Sequence, residues 1–483
     1  MNAETIREQV IEHIVQHGQS DIYPMCPEFS WIRHHPEALA TILETHDNAN
    51  SQGKLGYFRQ PIRELFRTGG TKYRLGTLLD PVMALQYLEH ALLLATKTPS
   101  LKSSRAHSCH LAAAEASEVF DPSFNWHSFS TASSERAHAH NYVLCIDLAN
   151  FYGSFTEEKL CETWRRLSID PTHRALMVSM LRFLNINTHG LPVGSDGSRL
   201  LAELSLNLID RELSAHNIEF CRFVDDYRLY GNSKSETARL ASLMHRIVTS
   251  LGFAVNSAKT CLQKTSDVIE IEALHRTTSA RLVNDQTNDA WTVACFEDPY
   301  SAAIVERIGE LELTANVDSI EKLLLREFEK IEPSHKNLSI IIQALNFTAI
   351  EDCAFCLGRL FALIQEHQLF SLLPKTLSLI QLRSTTLSEH KKHYERCLHQ
   401  FLASVSSSEG LAPVAAQLFR LARLLQLEVE PAVFNAARQA SEASIFLSRE
   451  IAFFRGNKAG KIHQKLQGTT PWACFELEDH RGQ

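Results

Sequence analysis

No apolar run in the 483 residues approaches the roughly 20 consecutive positions that a membrane helix requires. The first residues, MNAETIREQVIEHIVQHG, are charged and amphipathic and lack the apolar core of a signal peptide. These two absences lead to the expectation of a cytoplasmic protein with no membrane partner. Glycine (19) and proline (15) are scarce and no stretch is low in complexity, which argues against a collagen-like or disordered chain. Positive charge is not in excess either, the formal net charge being −8. A nucleic-acid enzyme needs local positive potential, not a basic whole, so this balance neither favours nor excludes one. Paired cysteines are missing as well: the 11 cysteines are scattered through apolar segments such as VLCIDL and IEFCRF and read as buried thiols of a reducing compartment. Cys353 and Cys356 have zinc-knuckle spacing but no second pair downstream, and read as structural. His107 with His110, and His138 with His140, lack a placed third ligand and read as non-metal residues.

What is present is enough apolar residue, 44%, for more than one core. Three regions separate by pattern. Residues 1–60 form an N-terminal segment with helical periodicity in TIREQVIEHIV and PEALATILETH. Residues 61–265 alternate short apolar strands (YVLCIDL, EFCRFV) with amphipathic helices (SRLLAELSLNLIDREL, SETARLASLMHRIVTSLG), a pattern of the α/β or α+β class. Residues 266–483 carry apolar positions at i, i+3, i+4 and i+7 in segments about 20 residues apart, which fits an all-α domain of HEAT-like helical repeats or, since no sharp consensus emerges, an irregular helical domain. The apolar stripes there read as core, with no motif for a second enzyme.

Three segments carry chemistry. In LCIDLANFYGSF the apolar run from Tyr142 to Ile146 predicts a buried strand with Asp147 at its end, where an ionised carboxylate is costly unless paired or bound to metal. Tyr152 follows five residues later, beside Phe151. In EFCRFVDDYRLYG two apolar runs flank Asp225 and Asp226, which predicts a hairpin with adjacent acids at its turn. Between these lies HGLPVGSDGSRLLAELSLNLIDREL, in which Gly190, Pro192, Gly194 and Gly197 make a loop permitting close backbone approach. Ser198 is the expected N-cap of the helix that follows.

The order of these segments resembles motifs A, B and C of reverse transcriptases: a strand-end Asp with an aromatic five residues on, then G-L-P-x-G-x-x-x-S, then φ-V-D-D in a hairpin. LGFAVNSAKT resembles their motif D, with Lys259 in the lysine position. The resemblance covers about residues 72–260. It implies a right-hand palm and fingers holding two Mg2+ ions (Mn2+ as the alternative) on Asp147, Asp225 and Asp226. Deoxynucleoside triphosphates are the implied substrates, with Tyr152 as the steric gate that excludes a 2′-hydroxyl. Lys72 and Arg74, in GTKYRLGTLLDP, resemble the fingers residues that grip the triphosphate, and Arg105 is a weaker candidate for the same surface. Gly190, Pro192, Gly194 and Ser198 fall to the nucleotide-binding loop, and Lys259 to the departing pyrophosphate.

Two departures stand out. Motif C has Phe-Val-Asp-Asp where Tyr-Ala-Asp-Asp is frequent, and motif B has Val193 where glutamine is usual. G-L-P-V-G with S-R-L-L-A-E, and R-F-V-D-D-Y-R-L-Y, look most like bacterial abortive-infection and defence-associated reverse transcriptases, whose palm is followed by a helical-repeat domain. That branch implies anti-phage DNA synthesis without a template, primed from a protein tyrosine, a DNA product attached to the chain, and a homo-oligomer. Tyr23, in SDIYPMCPEFSW, is a guess for the priming residue. Two alternatives stay open: a retron- or mobile-element-type enzyme copying a dedicated RNA, and a non-catalytic nucleic-acid-binding module.

Overall fold

The computed structural model describes residues 3–17, 61–69, 72–79, 81–98, 103–113, 116, 118–269, 317–330, 333, 335–406 and 411–440, with the single positions 444, 447, 450 and 451. Tyr23 lies outside them, as does most of the N-terminal segment. In chain order the elements are α1 (Ala3–His17), β1 (Ile62–Gly69), β2 (Lys72–Leu78), α2 (Pro81–Thr96), α3 (Trp126–His138), β3 (Tyr142–Asp147), α4 (Glu157–Arg166), α5 (Pro171–Phe183), the single turn α6 (Ile186–His189) and α7 (Asp196–Ala215). Then come β4 (Phe220–Phe223), β5 (Asp226–Gly231), α8 (Lys234–Ser250) and β6 (Cys261–Lys264). The C-terminal half adds α9 (Val317–Phe328), α10 (His335–Ala344), α11 (Ile350–Glu366), α12 (Leu373–Leu387), α13 (Glu395–Ser406), α14 (Ala412–Leu424) and α15 (Pro431–Ala440).

The chain divides into two compact units. The first holds α1 and everything from α2 to β6, and it is α+β. Its sheet has the order β4-β5-β3-β6, with every neighbour antiparallel. Strands β3 and β4 are short apolar runs, and α7 packs against α2. Helix α7 is amphipathic in sequence yet buried over most of its circumference: Leu200, Leu201, Leu204 and Ile209 are fully buried, and so are the polar Glu203, Ser205, Asn207 and Asp210. Phe129, Val143, Cys221 and Tyr230 close the other side of the sheet beneath α3.

The second unit contains the hairpin of β1 and β2 together with helices α9 to α15. Among its described residues the C-terminal half is helical throughout. The hairpin packs against α14 and the short turn Phe370–Leu372. Arg67 donates to Gln368, and Ser444 donates to Glu64 over 2.7 Å. These tertiary contacts, not sequence proximity, assign residues 62–77 to this unit.

Candidate active site

Strand β3 reads Tyr-Val-Leu-Cys-Ile-Asp, and its apolar side chains carry the terminal Asp147 into the protein, where it is only 8% exposed. The antiparallel register sets Asp147 opposite Asp226, the first residue of β5. Residues so paired have Cβ atoms about 4.5–5.5 Å apart, so both carboxylates occupy one end of the sheet. Asp225 lies in the two-residue connection between Phe223 and Asp226, which pair across the turn. The hairpin expected from sequence is therefore formed, and it brings all three aspartates together.

The turn is held in an unfavourable conformation. Val224 has φ +51°, a region that a β-branched residue seldom visits. Its N–H donates to Ser108 Oγ over 2.9 Å, and its carbonyl accepts from Arg222 Nη1 over 3.1 Å. Arg222 is wholly buried and is gripped by two acids of α7. Its Nη2 reaches Glu203 Oε1 at 2.5 Å and Asp210 Oδ2 at 2.7 Å, and Nε reaches Asp210 Oδ1 at 3.0 Å. Tyr227 completes the cluster by donating its hydroxyl to Asp210 over 3.1 Å. Burial opposes the guanidinium charge, but Asp210 and Glu203 outweigh it and hold the pKa of Arg222 well above its ordinary value. These residues were missed from sequence, because isolated charges in an amphipathic helix look like a solvated face.

Asp147 is oriented by the segment that follows α8. Asn256 donates its amide N–H to the Asp147 carbonyl and its side-chain Nδ2 to Asp147 Oδ2, both over 2.8 Å. Lys259 Nζ donates to Oδ1 over 3.0 Å from a side chain otherwise largely in solvent. Lys259, the lysine of the motif D likeness, thus contacts Asp147, while Asn256, three residues earlier, went unnoticed.

Burial, with the charges of Asp226 and Asp147 added, pushes Asp225 up to about 7. Burial and the charge of Asp147 raise Asp226 to about 6, against the pull of Lys259 and Arg228. Asp225 and Asp226, which resist ionising beside Asp147, mark a cluster short of positive charge. An all-oxygen donor set of this kind fits Mg2+ or Mn2+, not Zn2+. Each Asp147 oxygen spends one lone pair on Asn256 or Lys259 and keeps another for a cation.

Tyr152 opens the short turn Tyr152–Ser154, half-buried with its ring 5.4 Å from that of Phe151. The motif B loop lies directly on it, since Leu191 N–H donates to the Tyr152 carbonyl over 2.9 Å. Gly190 has φ +71°, and a Cβ there would come within 2.3 Å of that same carbonyl oxygen. Only glycine permits the approach. Pro192 and Gly194 continue this loop into α7. Ser198 is not the N-cap of α7: Ser195 occupies that position, while Ser198 sits one turn inside, fully buried, 3.1 Å from the Tyr87 hydroxyl. The helix begins earlier than expected because Asp196 and Gly197 already adopt its first turn.

Lys72 and Arg74 lie on β2 in the second unit, Arg74 being exposed. Arg105 is engaged elsewhere. Its guanidinium donates to the Ile218 carbonyl over 2.6 Å and pairs with Glu219 at 3.3 Å. That is the far end of β4 from the aspartates, about 13 Å away at 3.3 Å per residue.

Residues 93–277 match the reverse transcriptase (RNA-dependent DNA polymerase) family. Among curated relatives, the Retron Ec86 reverse transcriptase of Escherichia coli is 25% identical over 126 residues, 25% of this chain and 38% of that protein. The Retron Se72 reverse transcriptase of Salmonella heidelberg is 26% identical over 133 residues, 26% of this chain and 34% of that protein. The match thus spans little more than a third of either relative. Solved structures of telomerase are also similar, from Candida albicans (11% identity, TM-score 0.30, 85% of this chain and 64% of that one) and Candida tropicalis (12%, 0.31, 88% and 73%). At such TM-scores they add no weight.

Proposed function

We infer that this chain, which carries a reverse transcriptase domain, is a polymerase that joins deoxynucleotides by phosphoryl transfer at Asp147, Asp225 and Asp226. The observation that carries the reading is the convergence of these three carboxylates from β3 and the β4–β5 turn at one end of the sheet. Two bound Mg2+ ions would supply charge neutralisation and a more acidic attacking hydroxyl. The chain's own residues do the rest. Asn256 fixes the plane of the Asp147 carboxylate. Lys259 stands beside it and on this reading would neutralise the pyrophosphate as it departs. Tyr152, its backbone carbonyl held by the Leu191 N–H and its ring beside Phe151, would lie under the sugar and exclude a 2′-hydroxyl. Lys72 and Arg74 remain the proposed triphosphate contacts.

For the biological setting we propose anti-phage defence by a homo-oligomer with a HEAT-like C-terminal domain. Val193 in place of glutamine disfavours faithful templated copying, and the likeness of G-L-P-V-G and S-R-L-L-A-E to the abortive-infection branch supports synthesis with no template and a protein hydroxyl as primer. The second reading, templated copying of a dedicated RNA, is favoured by the retron reverse transcriptases among the relatives. Incubating purified protein with Mg2+ and labelled deoxynucleotides, with and without RNA and primer, separates the two. Label that remains on the protein after denaturation, with nothing added, supports the first. Product that appears only with RNA and primer overturns it in favour of the second.

A further inference from the structure

A second cluster of metal-ligating side chains lies in the helical unit, and no part of the polymerase reading uses it. After α12 the chain makes a tight 3₁₀ segment, Ser388–His393, before entering α13. The segment is kinked at His390, where the backbone leaves helical values (φ −105°, ψ 21°), and His393 follows three residues later. Facing them is Glu351, in the first turn of α11. One ligand atom from each of the three lies within 4.8 Å of the others.

The turn is fixed before any ligand arrives. Gly358 of α11 lets it approach closely, since a Cβ at that position would stand 2.4 Å from the His393 carbonyl oxygen. The buried Tyr394 hydroxyl donates across the turn to the Leu387 carbonyl over 2.6 Å. His393 Nε2 is shielded from solvent with no hydrogen-bond partner, and stands 3.5 Å from Glu351 Oε1. A buried imidazole nitrogen without a partner is an unmet demand that a cation can satisfy. The competing cation is Lys392, whose Nζ is 3.8 Å from the same Glu351 oxygen, on a side chain 73% exposed and able to swing away.

We propose that Glu351, His390 and His393 bind a borderline-soft divalent cation of the Zn2+ class. Two neutral imidazoles and one carboxylate are a familiar donor set for such an ion and leave a fourth position for water. With ligand bonds of about 2.0–2.1 Å, a tetrahedral ion places its ligand atoms about 3.3 Å apart. The His393–Glu351 pair is already near that spacing, and Glu351, the most exposed of the three, can rotate to close the remainder. The bound ion would tie the 388–393 turn to the first turn of α11 and so stiffen the helical unit.

The test uses the full chain carrying Asp225→Asn and Asp226→Asn, so that the palm does not contribute and the outcome is independent of the polymerase reading. Chelator-treated protein is titrated with Co2+, followed by absorption, and with Zn2+ against a chromogenic chelator. The expected result is one more equivalent bound than by His390→Ala or His393→Ala in the same background, each weakening that equivalent at least about tenfold, with Glu351→Gln in the same direction. Zn2+ should also raise the melting temperature of the unsubstituted cluster and leave that of the histidine variants unchanged. Circular dichroism checks that the variants fold. Equal binding with and without the histidines, or no Zn2+-dependent shift in melting, would overturn the proposal and leave Glu351 with Lys392 and His393 as an ordinary surface ion pair.

Discussion

Asp225 and Asp226 are raised to about 7 and about 6 from an ordinary 3.8, so the folded, metal-free chain keeps protons that the unfolded chain has released. The sign follows. Their contribution to stability is fully present below about pH 4 and is lost as pH rises through 6 to 7. Replacing Asp225 by Asn should therefore abolish incorporation yet raise the melting temperature in chelator at pH 8. A rise of about 2–4 °C is what about 1 kcal/mol produces in a unit of this size. The gain should shrink towards pH 4, and a variant that melts lower than the parent at pH 8 would contradict the account. Arg222 behaves oppositely. Its loss, as in Arg222→Met, strands Glu203 and Asp210 in the core and should cost about 3–5 kcal/mol, measured by denaturant unfolding. Replacing Glu203 by Gln and Asp210 by Asn in that background should restore much of the loss.

At the scale of elements, Gly190 and the Tyr152 turn act as one surface. Gly190→Ala forces a Cβ against the Tyr152 carbonyl at a positive φ. Strain of about 1–3 kcal/mol is expected, read as a lower melting temperature, with incorporation reduced further by the displaced ring. Tyr152→Ala should leave the fold intact and narrow the preference for deoxynucleotides over ribonucleotides by about tenfold or more, equivalent to roughly 1.4 kcal/mol, in paired incorporation assays. Much of this site was legible in the sequence because its chemistry sits in continuous segments: a strand-end Asp, a D-D turn, a glycine loop. What escaped is discontinuous. Arg222 meets Asp210 and Glu203 across separate elements, and periodicity alone does not say which charges in an amphipathic helix face inward. Ser198 was misassigned for a related reason: Ser195 and Ser198 are equally suitable caps by type, and only the path of the preceding loop chooses between them. The hairpin of β1 and β2 joins the C-terminal helices through contacts such as Arg67 to Gln368, a separation no local pattern reports.

For the whole molecule, the family match over residues 93–277 falls on the α+β unit, while the helical unit carries its own cluster of ligating groups. With a net charge of −8 there is no overall attraction to nucleic acid, so any grip on it must come from local positive potential. The most direct measurement is incorporation of labelled deoxynucleotides by the full chain, with and without template and primer, comparing the parent with the Asp225→Asn, Asp226→Asn double variant at equal concentration. Mg2+-dependent product from the parent under at least one condition, falling at least about 100-fold in the variant, is the predicted result. Product formed equally by both proteins would contradict the assignment of these aspartates as the catalytic centre.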